Sequence, residues 1–219
     1  MDRHTHCIRR TATGKEAVNT YLLWHTETRR ALIIDPGCEA PCPRLIHEVE
    51  SNGLIPAAVL NTHGHHDHVR GNGFLCERYS IPAYLHPADK AFFLANGLPE
   101  LEHTYEKALD ISHNEILNLA DLKIQVRHTP GHTPGSVCFY IEDQQPPLLF
   151  TGDTLFVGDA GRTDFPGGSL DTLLASIETQ IMPLPGDTRI LPGHDYGDSP
   201  ESTLAREIRE NIYITDFLL

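Results

Sequence analysis

The sequence predicts an α/β protein in which helices cover the outer faces of two sheets, and three observations predict it. Short apolar runs rich in β-forming residues, such as Tyr21-Leu22-Leu23-Trp24 and Ala31-Leu32-Ile33-Ile34, alternate with stretches whose apolar residues recur at helical spacing. Four strands end in a turn that carries His or Asp, at 63–68, 132, 153 and 194. Chance placement would scatter such residues over helices and strand interiors as well. A sheet edge that gathers those strand ends places all of them at one mouth. The third observation is composition: 40% hydrophobic and 21% charged residues belong to a soluble globular chain that can bury a core between layers.

Taken in order, residues 18–24 and 30–35 read as neighbouring strands, the second closed by the turn signal Asp35-Pro36-Gly37. Leu45, Ile46 and Val49 give residues 43–52 a helical spacing that stops at Asn52-Gly53, a glycine C-cap. The run Ala57-Ala58-Val59-Leu60, bounded by Pro56, is a buried strand. Residues 73–79 read as a helix, 81–86 as a short strand, and 87–120 as mostly helix and loop, broken at Pro99. His103 and His113, among charged residues there, read as solvated surface. Residues 122–126 alternate as a half-buried strand, and 137–141 and 148–150 follow as strands. An amphipathic helix over 169–181, a last strand over 189–191 and a closing helix over 200–212 complete the chain. With no repeat or linker, the 219 residues suit one domain over 1–219 better than two.

A formal net charge of −13 argues against nucleic acid or an anionic membrane surface as partner. No apolar run approaches the roughly 18 residues of a membrane span, and Met1-Asp2-Arg3-His4-Thr5-His6 carries no secretory h-region. The cysteines, Cys7, Cys38, Cys42, Cys76 and Cys138, are odd in number and scattered, which is not a disulfide framework. Cys38 and Cys42 form the one close pair, lack a second pair for a thiolate zinc site, and read as free thiols. A reducing cytoplasm is the expected location.

The chemistry concentrates in Asn61-Thr62-His63-Gly64-His65-His66-Asp67-His68. Imidazole nitrogen and carboxylate oxygen are ligands that borderline divalent metals such as zinc prefer. In a loop, His63 and His65 can converge on one ion, while Asp67 and His68 fall further along and could hold a second. A purification tag or polar surface loop is the bland reading, but a tag sits at a terminus and lacks the interleaved Asp.

Together with this loop, His132 in a Thr-Pro-Gly-His-Thr-Pro-Gly-Ser turn, Gly152-Asp153 and Pro192-Gly193-His194 closely resemble the metallo-β-lactamase-fold hydrolases. The resemblance runs from Asn19 to the closing helix. It implies an αββα four-layer sandwich with two divalent ions in a shallow cleft at one edge, zinc or else iron or manganese. It also implies ligand roles: His63, His65 and His132 on one ion, Asp67, His68 and His194 on the other, and Asp153 between them. Asp67 would in addition orient the attacking water. His66 and His128 match no ligand position. Two such ions share a hydroxide at neutral pH that attacks a carbonyl carbon, and no Gly-x-Ser-x-Gly elbow is present to suggest a serine nucleophile.

Within the superfamily, residues 156–169, with Gly161-Arg162-Thr163-Asp164-Phe165-Pro166-Gly167-Gly168-Ser169, look like the block of short glyoxalase II-like hydrolases, which cleave thioesters such as S-lactoylglutathione. The C-terminal helical region that helps the long form bind glutathione has no counterpart before Leu219. A small-molecule thioester is therefore the expected substrate. The alternative is a persulfide dioxygenase, which shares Gly-Arg-Thr-Asp-Phe and a closing His-Asp-Tyr and holds a single ferrous iron, here on His63, His132 and Asp153. Arg162 could bind a substrate carboxylate, or pair with Asp164 or another buried acid near the cleft, and the structural role is favoured. Ile212 stands where the family's closing segment usually has proline. A non-catalytic scaffold would be expected to have lost ligands, and none is missing. Flavodiiron proteins carry Glu in place of His65, and a β-lactamase would be exported.

Overall fold

The computed structural model describes residues 6–219. Twelve strands form two sheets among the described residues. The first sheet runs in the order β1 (His6–Thr13), β2 (Val18–His25), β3 (Arg30–Ile34), β4 (Ile55–Leu60), β5 (Ala83–Leu85) and β6 (Leu109–Asp110). The second contains β7 (Ile116–Leu119), β8 (Leu122–His128), β9 (Val137–Ile141), β10 (Leu148–Gly152), β11 (Arg189–Pro192) and β12 (Ser202–Thr203), again with sequence neighbours side by side. The helices are α1 (Pro43–Ser51), α2 (His66–Val69), α3 (Asn72–Tyr79), α4 (Pro87–Asn96), α5 (Glu102–Lys107), α6 (Leu170–Ser176), α7 (Leu204–Glu210) and α8 (Ile212–Thr215).

Side-chain alternation explains the layers. Successive residues of a strand point to opposite faces, and here both faces are apolar. From β2 and β3, Tyr21, Leu23, Leu32 and Ile34 face inward and meet Val126, Val137, Phe139 and Phe150 of the second sheet in the central core. Their neighbours Leu22, Trp24, Ala31 and Ile33 face outward, onto Leu45 and Val49 of α1 and Leu75 of α3. On the second sheet, Cys138, Tyr140 and Leu149 face outward onto Leu173 of α6, Leu204 of α7 and Ile214 of α8. Three apolar layers between four structural layers make an αββα sandwich. They are also why the strands read as continuous apolar runs rather than as alternating ones.

The expected elements are present, with four differences, one being that the closing helix expected over 200–212 opens as β12 and divides at Asn211 into α7 and α8. β1 is an additional edge strand, paired antiparallel along the whole of β2. Its Arg9 and Arg10 hide it from a hydrophobic pattern, and only Ile8 packs on the central core. Within 87–120, β6 and β7 emerge beyond the helices. The helix over 169–181 ends at Ser176 and continues as a wide π turn, Ile177–Ile181.

Cys38 and Cys42, read as free thiols, are joined as a disulfide. A left-handed residue at Cys42 turns the chain into α1 and leaves the two Cα atoms 5.2 Å apart, within the span a disulfide bridges. No described helix is long and apolar enough to cross a membrane.

Strand direction gathers the site. β3 and β4 run parallel, as do β10 and β11, while β8 pairs antiparallel to β9 and β9 to β10. The carboxyl ends of β4, β8, β10 and β11 therefore lie along one edge, the location ligands favour in open α/β sheets. Two bonds clamp the sheets together there: Val137 N–H donates to Thr62 O at 2.8 Å, and Asn19 N–H to Gly193 O at 2.8 Å.

Candidate metal centre

The four strand ends bring every expected ligand residue into one cluster. Donor atoms of His63, His65 and His132 lie within 4.8 Å of one another, as do those of Asp67, His68 and His194, and those of His63, His68 and Asp153. Asp153 sits between the two outer triads: its Oδ1 is 3.5 Å from His68 Nε2, and its Oδ2 is 3.6 Å from both His132 Nε2 and His194 Nε2. Asp67 Oδ2 lies 3.5 Å from His194 Nε2. The backbone can pass this closely only because Gly193 has no side chain; a Cβ there would strike the Asp153 carboxylate.

The rings are aimed by the groups behind them. Thr62 Oγ1 donates to Asp35 Oδ2 at 2.6 Å, so it must accept from His63 Nδ1, 3.1 Å away. That leaves His63 Nε2 with a lone pair directed into the cluster, buried and without a partner. His132 Nδ1 donates to Arg162 O at 2.7 Å, which turns its Nε2 inward, to within 2.9 Å of His65 Nδ1. His68 Nδ1 lies 3.1 Å from Asp35 Oδ2, which turns its Nε2 toward His194 Nε2 at 3.3 Å. Ring nitrogens brought this close, with His63 Nε2 and His132 Nε2 both presenting lone pairs, form a pocket that a cation can occupy. The buried Asp153 Oδ1 also has no hydrogen-bond partner. Buried polar atoms are nearly always satisfied, so the arrangement fits metal ions held by nitrogen and oxygen.

The electrostatics agree. Burial, together with the neighbouring rings, holds His63 well below the ordinary imidazole range, and burial takes His65 down to about 3 and lowers His132. These rings are neutral at physiological pH, the form that ligates. Burial also lowers His68, but Asp153, Asp35 and Asp67 outweigh it and hold the ring up at about 10. Burial raises Asp67, yet His194 and His68 outweigh it and keep the carboxyl well below its usual range.

Two residues essential to this geometry carried little signal in the sequence. Asp35 read as a turn residue; it also accepts from Thr62 N–H at 2.8 Å and so fixes the start of the histidine loop. Asp89, in the first turn of α4 and fully buried, lies in a stretch that the sequence marks only as helix and loop. It accepts from Gly64 N–H at 2.6 Å, from the Thr133 hydroxyl at 2.8 Å and from Gly135 N–H at 2.5 Å. One carboxylate thus ties the loop of His63 and His65 to the turn of His132. A Cβ at Gly135 would lie 2.7 Å from Asp89 Oδ1, so that turn closes on the carboxylate only with glycine.

The remaining histidines stand outside the cluster. His66 lies at the cleft wall, 3.7 Å from Glu16. His128 Nε2 donates to Pro134 O at 2.9 Å, and its ring stacks on His86 at 4.1 Å. Arg162 pairs with Asp164 through two 2.7 Å hydrogen bonds, the structural role favoured from sequence.

Residues 13–194 match the sequence profile of the metallo-beta-lactamase superfamily. The chain belongs to that superfamily. It is similar to the hydroxyacylglutathione hydrolase GloC of Haemophilus influenzae, 36% identical over 90% of this chain and 92% of that protein. It is similar also to the human mitochondrial persulfide dioxygenase ETHE1, 35% identical over 90% of this chain and 71% of that protein. Among solved structures, the BLEG-1 B3 metallo-beta-lactamase superposes with a TM-score of 0.82 at 33% identity, covering 95% of this chain and all of that one. TTHA1623 in a di-iron-bound form superposes with a TM-score of 0.77 at 33% identity, covering 93% and 98%.

Proposed function

We propose that the protein is a binuclear metallohydrolase that cleaves small-molecule thioesters, of the kind represented by S-lactoylglutathione. The observation that carries this reading is Asp153 placed between two complete triads, with its Oδ1 buried and unpartnered. His63, His65 and His132 would hold one divalent ion and Asp67, His68 and His194 the other, with Asp153 serving both. Such a pair supplies Lewis acidity toward a carbonyl oxygen and water of lowered pKa at neutral pH.

The chain's own residues do the rest. Thr62, Asp35 and Arg162 O fix the tautomers of His63, His68 and His132, so that no ring has to reorient when substrate arrives. Asp67, kept ionised by His194 and His68, can accept a hydrogen bond from the attacking water and orient it. In the reaction, the water oxygen forms a bond to the acyl carbon, the carbon–sulfur bond breaks, and the departing thiolate takes up a proton. Similarity to GloC at nearly full length supports the substrate class.

A second reading has its own support in the similarity to ETHE1: an iron held by His63, His132 and Asp153, acting on a persulfide with oxygen. The triad Asp67, His68 and His194 gives a second ion a place, which the first reading uses and the second would leave empty, so the metal count separates the two.

The test is thioester hydrolysis by metal-replete protein, followed as thiol release from S-lactoylglutathione. Activity that is lost with chelator and restored by divalent metal is expected. Oxygen consumption with glutathione persulfide and no thiol release from any thioester would transfer the assignment to the dioxygenase reading.

A further inference from the structure

The cleft over the cluster has a volume of about 820 Å³, and its walls are aromatic on both sides. On the side of His65, Phe93 and Phe165 stand 5.3 Å and 5.9 Å from that ring, with Phe92 beside them on α4. On the side of His194, Tyr196 stacks parallel on the ligand ring at 4.9 Å, and Phe156 and Tyr213 continue the wall. Phe165 is 43% exposed and Tyr196 64% exposed. Large rings left open on both sides of a catalytic cluster are where an apolar group gains most by binding.

The charges tell the same story from the opposite direction. Arg162 is the one Lys or Arg side chain lining this cleft among the described residues. The Nε–Nη2 edge of its guanidinium, one of the two edges that could clasp a carboxylate, is engaged by Asp164, and its face lies 3.9 Å over the Phe165 ring. The other charged rim residues, Glu16 and Asp159, are acidic, on a chain whose formal net charge is −13. Glutathione carries two carboxylates, and outside the cluster itself the lining offers the two of them one guanidinium, already paired with Asp164. Desolvating a carboxylate without a partner is costly.

Resting on the thioesterase reading, we infer that this cleft is built for thioesters whose thiol portion is uncharged and apolar, and that glutathione is a poor thiol portion for it. Asp164 is the residue that sets this preference, because it takes one clasping edge of the single guanidinium in the lining and offsets its charge. Phe165 holds the arginine down in that pose.

The experiment compares two thioesters that share the lactoyl group, one on glutathione and one on benzyl mercaptan, with metal-replete wild-type protein and the Asp164→Ala variant. The benzyl thioester is expected to have a kcat/KM at least about tenfold higher in the wild type, a difference that one unpaired carboxylate or one aromatic contact can produce. Asp164→Ala is expected to raise kcat/KM for the glutathione thioester through KM, with little change for the benzyl thioester. A merely structural Asp164 would move both substrates together. A wild-type ratio near one or in favour of glutathione overturns the inference and leaves the thioesterase reading standing, as does an Asp164→Ala variant that changes both substrates alike. Hydrolysis of neither thioester removes the thioesterase reading, and this inference with it.

Discussion

In one half of the site, His63 and His132 are aimed by hydrogen bonds to Thr62 Oγ1 and Arg162 O, and Asp89 locks the two loops that carry them. In the other half, His68 Nδ1 faces the Asp35 carboxylate at 3.1 Å without a hydrogen bond, His194 Nδ1 is likewise buried without a hydrogen-bond partner, and the His194 ring rests on an exposed tyrosine. The halves offer similar donor sets and differ in how those donors are held. Buried oxygen atoms and backbone amides, which have little freedom to lose, organise the first half before any ion arrives. The second half depends on one carboxylate and one ring stack. On the proposed binuclear reading, the first half is expected to be the tighter site and the second the more easily emptied, a difference set by what stands behind the ligands rather than by the ligands.

The sharpest way to break the comparison is to remove what both halves share. Asp153 stands between the two triads, so Asp153→Ala is expected to lower kcat/KM by about three orders of magnitude and to deplete both ions. Elemental analysis beside the kinetics checks it, and retention of two ions would show that the halves do not meet at Asp153. Asp35→Asn comes next. The Asp35 carboxylate faces His68 directly and His63 only through Thr62, so its loss is expected to cost about 10–100-fold in activity or metal affinity and to empty the second half first. Stepwise dialysis against a chelator measures this, and equal loss from both halves would contradict the proposed asymmetry.

Asp89→Asn gives the smallest effect on chemistry and an informative one on stability. An amide cannot present acceptors to all the donors that Asp89 serves, so the variant is expected to unfold at lower temperature at every pH. The pH dependence has a definite sign. Burial pushes the Asp89 carboxyl up to about 6, so the folded state keeps the proton to a higher pH than the unfolded chain does. The stability that this proton brings is present near pH 4 and lost as pH rises through 6, on the order of 3 kcal/mol. The gap in Tm between wild type and Asp89→Asn should therefore narrow from pH 4 to pH 6 and stay level above. A gap that widens over that range would show that the carboxylate's donors outweigh its burial.

The unequal visibility of these residues in the sequence has a physical origin. Strand ends and ligand turns were legible because the buried strands are apolar on both faces and the metal-type residues fall at short spacings just beyond them. Those features are local, so one sequence displays them. The edge strand β1 was not legible, because a strand that buries little more than Ile8 has no pattern to show. Asp89 was not legible either: in His86-Pro87-Ala88-Asp89 an acid at a helix start is ordinary, and only the folded chain brings Gly64 and Gly135 to it. The Cys38–Cys42 bridge was missed for a related reason, since the left-handed turn at Cys42 that brings the pair together is not written in the spacing. Residues that hold a ligand can be found by pattern, whereas residues that hold the holders must be found in space.

The measurement that tests the central claim most directly is metal content by elemental analysis of protein purified without chelator or added metal. About two ions per chain are expected, with the second lost first on dialysis. One iron per chain that saturates the protein, or no ion even after reconstitution, would contradict a site built from two halves.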